Sequence, residues 1–189
     1  YDNPHLPAHT LATLEALPGV MRKRMLEGIW CSTEGLVYSD FDQDVHCFDN
    51  MSEVSIYWKR YRSIDFGFTN PFCCLWGAVD GDGRLYIYRE HYKSQMLIED
   101  HAEIINQIHS EETKQYCDQT GEESYFVRTV ADHEDPEGRV KLAKYGIGTE
   151  PAKKAVTAGI QAVQKRLVDA GDGKPRLFVH SSCYNLLNE

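Results

Sequence analysis

The chain has 189 residues, 20 Lys and Arg against 29 Asp and Glu, a formal charge of −9 and a pI near 5.4. Apolar residues make up 42% and charged residues 26%, which excludes a disordered polyampholyte, a collagen-like repeat and a low-complexity chain. No run approaches the roughly 18 apolar residues of a membrane span, so no membrane partner is expected, and one domain with a sizeable core is the default at this length.

The start, Tyr1-Asp2-Asn3-Pro4, lacks both an initiator Met and a signal-peptide pattern and reads as a cut made inside a longer protein. Residues 1–55 read as an N-terminal lead-in segment. Two short helices are expected over 8–17 and 20–27, separated by Pro18-Gly19. Short extended pieces follow at 28–30 and 34–38, then a polar loop with Asp40, Asp42 and Asp44. Those acids lack the Gly and closing Glu of an EF-hand loop, so calcium is not expected.

Residues 56–189 have a clearer rhythm. Strands are predicted over 59–67 and 72–79, then over a run that begins at Leu85-Tyr86. Asp80-Gly81-Asp82-Gly83 is a turn signal that makes the second and third strands a hairpin. Met96, Ile98, Ala102, Ile105 and Ile108 give helical periodicity over 95–112, and 126–131 reads as a fourth strand. Asp135-Pro136-Glu137 is an N-cap, first-position proline and first-turn acid, opening a helix that stops at Gly146. A short strand over 147–150, a helix over 153–170 striped by Val156, Ile160, Val163 and Leu167, a strand over 176–179 and a final helix from Ser181 complete the chain.

Three meandering strands followed by right-handed crossovers give a mixed α/β sheet of five to six strands with helices on both faces. The first and fourth strands are candidates to lie side by side and parallel. Asp65 in the first and Asp132 at the end of the fourth would then meet where functional groups gather in open α/β sheets. Two buried carboxylates repel, and a divalent cation reverses that balance. Mg²⁺ or Mn²⁺ prefers hard oxygen ligands, and two ions about 4 Å apart clamp the attacking and leaving oxygens of a phosphodiester displacement.

Other polar residues have plainer readings. Asp135 is read as a cap rather than a ligand, and His5, His9, His101 and His109 as surface residues. The basic residues are gathered into Arg22-Lys23-Arg24, Lys59-Arg60-Tyr61-Arg62, Arg139 with Lys141 and Lys144, Lys153-Lys154 and Lys165-Arg166, candidate contacts to a DNA backbone. The six cysteines include no CxxC pair, and Cys73 and Cys74 should point to opposite faces of their strand.

An ordered set of segments carries a resemblance: Asn3-Pro4-His5-Leu6, Arg24 to Trp30, Glu34 to Tyr38, Ile64-Asp65-Phe66-Gly67-Phe68-Thr69-Asn70-Pro71, Gly83 to Tyr86, Ala131-Asp132, Val156 to Ile160 and Cys183-Tyr184-Asn185-Leu186. Together they resemble the C-terminal nuclease domain of bacteriophage terminase large subunits. The resemblance implies an RNase H-like fold and a metal-dependent endonuclease that cuts concatemeric viral DNA with two Mg²⁺ or Mn²⁺ ions. The family's first two acids fall on Asp65 and Asp132. Its third, on a C-terminal helix, has no counterpart and is expected beyond Glu189. The implied partners are double-stranded DNA and, in the intact protein, an ATPase motor, a small terminase subunit and the portal, in the host cytoplasm. No GxxxxGK[ST] loop occurs, so ATP is expected to bind elsewhere in the intact protein. Rival readings are a junction resolvase or transposase-type nuclease of the same fold, or a non-catalytic module that docks on DNA or the portal.

Overall fold

The computed structural model describes residues 7–15, 37–123, 125 and 127–188. The expected helix over 20–27, the extended pieces before residue 37, His5, Cys31 and the Arg22-Lys23-Arg24 cluster lie outside the described residues. Among the described residues seven strands form one mixed sheet: β1 (Cys47–Phe48), β2 (Lys59–Asp65), β3 (Phe72–Val79), β4 (Leu85–Lys93), β5 (Val127–Ala131), β6 (Glu150–Pro151) and β7 (Leu177–His180). Their order across the sheet is β1-β7-β4-β3-β2-β5-β6. That is one strand more than the upper number expected, because the two-residue β1 carries too little pattern to read. The helices among the described residues are α1 (Ala8–Glu15), α2 (Gln43–His46), α3 (Ile98–Thr120), α4 (Pro136–Lys144), α5 (Val156–Leu167) and α6 (Tyr184–Asn188), with a 3₁₀ turn at Met51–Glu53. Among the described residues no helix is long and apolar enough to cross a membrane.

The chain divides into two compact units. In the first, the described residues of 1–47 come together with 155–178. His46 is 2% exposed, and its Nε2–H donates to the Leu167 carbonyl at 2.8 Å, while the Gln164 amide donates to the Val37 carbonyl at 2.8 Å. The expected polar loop at Asp42 and Asp44 is here the start of α2: the Asp42 carboxylate caps it by accepting the Asp44 N–H at 2.9 Å. Helix α5 is shorter than expected, and Val156 at the head of its apolar stripe is exposed.

The second unit comprises 48–154 and 179–189. Its core follows from β3, where alternate residues Phe72, Cys74, Trp76 and Ala78 are all but fully buried. Cys73 is half-buried beside the buried Cys74, so the neighbouring thiols part as alternation requires. The β3–β4 hairpin forms across the Asp80–Gly83 turn, where the Asp80 Oδ1 accepts the Asp82 and Arg84 amides at 2.9 and 2.8 Å. A register shift at Trp76/Gly77 breaks the simple alternation of β4.

Helix α3 begins three residues later than periodicity suggested and runs eight further. Gln95 holds a left-handed φ of +57°, so no helix passes through it. At the other end the residues after Glu112 lack an apolar stripe, but nothing breaks the helix before Gly121, whose φ of +74° ends it.

His101 on α3 is fully buried, which corrects its reading as a surface residue, and His109 is half-buried. The His101 ring stacks on Phe72 with centroids 3.9 Å apart, and its Nδ1 lies 2.8 Å from the Nε2 of His91. Burial holds the His101 pKa down to about 4, with His91 adding to the effect, and burial also lowers His91. The unfolded chain takes up the His101 proton near 6.5, whereas the folded chain resists it until about pH 4. Stability contributed by the neutral pair is therefore complete above pH 6.5 and drains away as pH falls towards 4. Urea midpoints measured across that window should fall more steeply for the native chain than for His101→Phe, and parallel slopes would refute the assignment.

Candidate active site

Strand β2 alternates exposed and inward residues through Lys59-Arg60-Tyr61-Arg62-Ser63-Ile64-Asp65, so Ile64 enters the core while Asp65 faces outward. β2 lies antiparallel to β3, with Asp65 opposite Cys73, and parallel to β5 from Arg60↔Val127 to Ile64↔Ala131. The expected side-by-side placement of the first and fourth strands is thus observed. One residue beyond the last pair come Asp65 and Asp132, and the Asp132 N–H still donates to the Ile64 carbonyl at 3.1 Å. Neighbouring strands stand about 4.8 Å apart. The two aspartates therefore emerge side by side at the carboxyl ends of adjacent parallel strands.

Neither acid is deeply buried. Asp65 is exposed and the Asp132 side chain is 33% accessible. This corrects the expectation that two buried carboxylates demand a cation. Their proximity remains, without the desolvation argument.

The loop after β5 orients Asp132. Its Oδ1 accepts the Glu134 N–H at 3.0 Å, and the His133 Nδ1 lies 3.2 Å away. The His133 Nε2 stands 3.9 Å from Glu134, whose carboxylate also pairs with Lys154 from the segment after β6. The Asp135 side chain accepts the Gly138 N–H at 2.7 Å and caps α4, as its sequence signature required.

Two glycines, neither singled out by the sequence, permit this layout. A Cβ at Gly67 would lie 2.4 Å from the Asn70 carbonyl oxygen, so only glycine lets the loop fold back directly after Asp65. A Cβ at Gly138 would meet the Phe66 ring at 2.9 Å, so glycine there lets α4 approach the residue next to Asp65. The legible signal was Gly67 itself, within Asp65-Phe66-Gly67; Gly138 in a first helical turn has no distinguishing pattern.

The donor set suits a hard divalent cation. Mg²⁺ is commonly held by one or two carboxylates together with waters and substrate phosphates. Among the described residues no group of three or more His, Cys, Asp or Glu side chains is gathered to hold a metal. Among the described residues the two acids have no third beside them.

Several of the expected DNA-contacting cations have other engagements. Arg60 and Arg62 turn inward and are buried, the second donating to Thr129 Oγ1 at 2.9 and 3.1 Å. Arg139 donates to Thr149 at 3.2 Å, and Lys141 pairs with Glu137 at 3.0 Å. The clusters were real in sequence, but strand alternation and local acids redirect them.

The seven strands in this order form a mixed α/β sheet whose fold matches that of the P22 large terminase nuclease domain, in line with the RNase H-like architecture expected. The chain superposes on the large terminase of a thermophilic bacteriophage, in complex with ATP-gamma-S, with a TM-score of 0.73 at 21% identity, over 99% of this chain and 45% of that one. Another crystal form of the same phage protein gives 0.72 at 22% identity, over 99% and 44%. The P22 large terminase nuclease domain gives 0.62 at 13% identity, over 82% of this chain and 77% of that domain. At these identities the likeness is one of fold, and the chain spans less than half of the thermophilic phage's protein. No protein-family model and no curated protein sequence matches the chain.

Proposed function

We propose that this chain is the metal-dependent endonuclease part of a viral DNA-packaging terminase, hydrolysing phosphodiester bonds of concatemeric double-stranded DNA, with the nuclease domain over 56–189. The observation that carries the reading is the emergence of Asp65 and Asp132 at the carboxyl ends of adjacent parallel strands, in a fold shared with the P22 nuclease domain.

Asp65 and Asp132 would hold Mg²⁺ or Mn²⁺, in a two-ion arrangement. When bound, such ions supply an activated water and neutralise charge on the leaving 3′ oxygen. Asp65 offers its carboxylate from the last residue of a strand pinned on both sides, which fixes its backbone. Asp132 is oriented by the Glu134 amide and by His133, leaving the carboxylate at the solvent edge where a phosphodiester can approach. In the intact protein the partners would be an ATPase motor, the small subunit and the portal, in the host cytoplasm.

The test is divalent-dependent nicking of supercoiled plasmid by the chain, paired with calorimetric titration of Mn²⁺. Nicking that appears with Mn²⁺ or Mg²⁺ and vanishes on chelation is expected. DNA binding without Mn²⁺ binding would instead indicate a docking module. Preference for branched over linear duplex would favour a resolvase-type nuclease.

A further inference from the structure

Three adjacent strands of the sheet run the same way, and their carboxyl ends share one edge. β2 and β5 are parallel, β5 and β6 are parallel, and β6 is the outermost strand. The pairing of β5 with β6 continues past Ala131↔Pro151, because the Ala152 N–H donates to the Ala131 carbonyl at 2.8 Å. Ala152 is therefore level with Asp132, as Asp132 is level with Asp65. Asp65, Asp132 and the segment Ala152-Lys153-Lys154 thus end successive parallel strands, in a row about 10 Å long at about 4.8 Å per strand.

The row changes sign along its length. Carboxylates stand at the ends of β2 and β5, and Lys153 and Lys154 follow directly beyond β6. Lys153 is exposed, and the Lys154 ammonium pairs with the Glu134 carboxylate. That pair sits on the Asp132 loop: Glu134 gives its N–H to the Asp132 Oδ1 at 3.0 Å, and its carboxylate stands 3.9 Å from the His133 Nε2. Glu134 and then Asp132 raise the Lys154 pKa, so the ammonium lies within the field of the candidate metal ligand. Both partners are well over half accessible, Lys154 at 66% and Glu134 at 59%. An ion pair so exposed contributes little, and a phosphate anion reaching this edge can take over the ammonium. Lys59, by contrast, stands at the far end of β2, roughly 20 Å from Asp65 by strand rise.

We propose that Lys153 and Lys154 seat the phosphate next to the one that is cut, so that the cleaved strand lies along the carboxyl edge from β2 across β5 to β6. One DNA strand carries a charge about every 3.4 Å of helix axis, so a row of about 10 Å spans neighbouring phosphates. The lysines anchor the substrate backbone and take no part in breaking the bond. This assignment rests on the nuclease reading, but its first test needs no cleavage.

That test is binding of a short labelled duplex to the whole chain, followed by fluorescence anisotropy in chelator over a range of salt. Lys153→Gln and Lys154→Gln should each flatten the slope of log affinity against log salt by about 1, and the double variant by about 2. Duplexes of unrelated sequence should weaken alike, as phosphate contacts require. Glu134→Gln, which frees Lys154, should tighten binding about threefold in the native chain and less in Lys154→Gln. Lys114→Gln is the control: an exposed lysine about 24 Å along α3 from its start, it should leave affinity and slope as in the native chain. The substituted positions are all exposed, so melting temperatures should match. In nicking assays the double variant should raise KM for plasmid about tenfold or more and change kcat by less than about threefold. Unchanged affinity and slope in the double variant, an equal loss in Lys114→Gln, or a fall confined to kcat would overturn the proposal. Lysine-dependent duplex binding by a chain that never nicks would sink the nuclease reading instead, and the phosphate contact would stand.

Discussion

Asp65→Asn and Asp132→Asn should each reduce metal-dependent plasmid nicking by about 10³-fold or more while leaving the fold intact. A loss of that size corresponds to about 4 kcal/mol of transition-state stabilisation, the scale on which a catalytic metal acts. Asparagine keeps the shape of aspartate and removes the negative charge that would hold the cation. At position 65 the residue is exposed, so melting temperature should stay close to that of the native chain. At position 132 the amide oxygen can still accept the Glu134 N–H, so the loop after β5 keeps its path. Glu137→Gln is the matched control: it removes an exposed acid paired with Lys141, and nicking should be unchanged. Undiminished cleavage by either asparagine variant, with Mn²⁺ in excess, would remove these residues from the chemistry.

Phe72→Ala should cost about 3–5 kcal/mol of stability, read as a shift in urea midpoint at unchanged slope. Phe72 is fully buried at the head of β3, stacked on His101 and 6.0 Å from the Phe66 ring. Its removal leaves a cavity beneath the segment that carries Asp65 and leaves a buried histidine without its stacking partner. For a chain of this size each kcal/mol lowers the melting temperature by about 2–4 °C, so the loss is measurable thermally as well. Phe72→Leu should cost far less, because most of the volume is kept. A loss below about 1 kcal/mol for the alanine variant would mean that the ring is not the packing centre its contacts indicate.

The legible parts of the fold are those where a local rule is strong. β3 was readable to the residue because eight consecutive, largely apolar side chains end at a turn signal. Helix α4 was readable because Asp135, Pro136 and Gly146 mark both ends. The aspartates were legible as a pair through the family resemblance and through topology: the order of elements made β2 and β5 candidates to adjoin. What escaped detection was decided at a distance. His101 sits on a helix that is polar over much of its surface, and it is interior where Phe72 and His91, from two strands, meet it. Arg60 and Arg62 read as a surface basic run until the strand's alternation turned them inward.

By itself the sequence determined the alternation, the caps and the turns, because hydrophobic period and backbone preference act over a few residues. It also placed one acid at the end of each strand that matters. Tertiary structure alone decided that those acids stand within reach of solvent at a shared edge, and that Arg60 lies buried, donating to the Ser55 carbonyl over the Tyr88 ring. Burial and charge compensation depend on residues brought together from elements far apart in the chain, and no local pattern records which of them will meet.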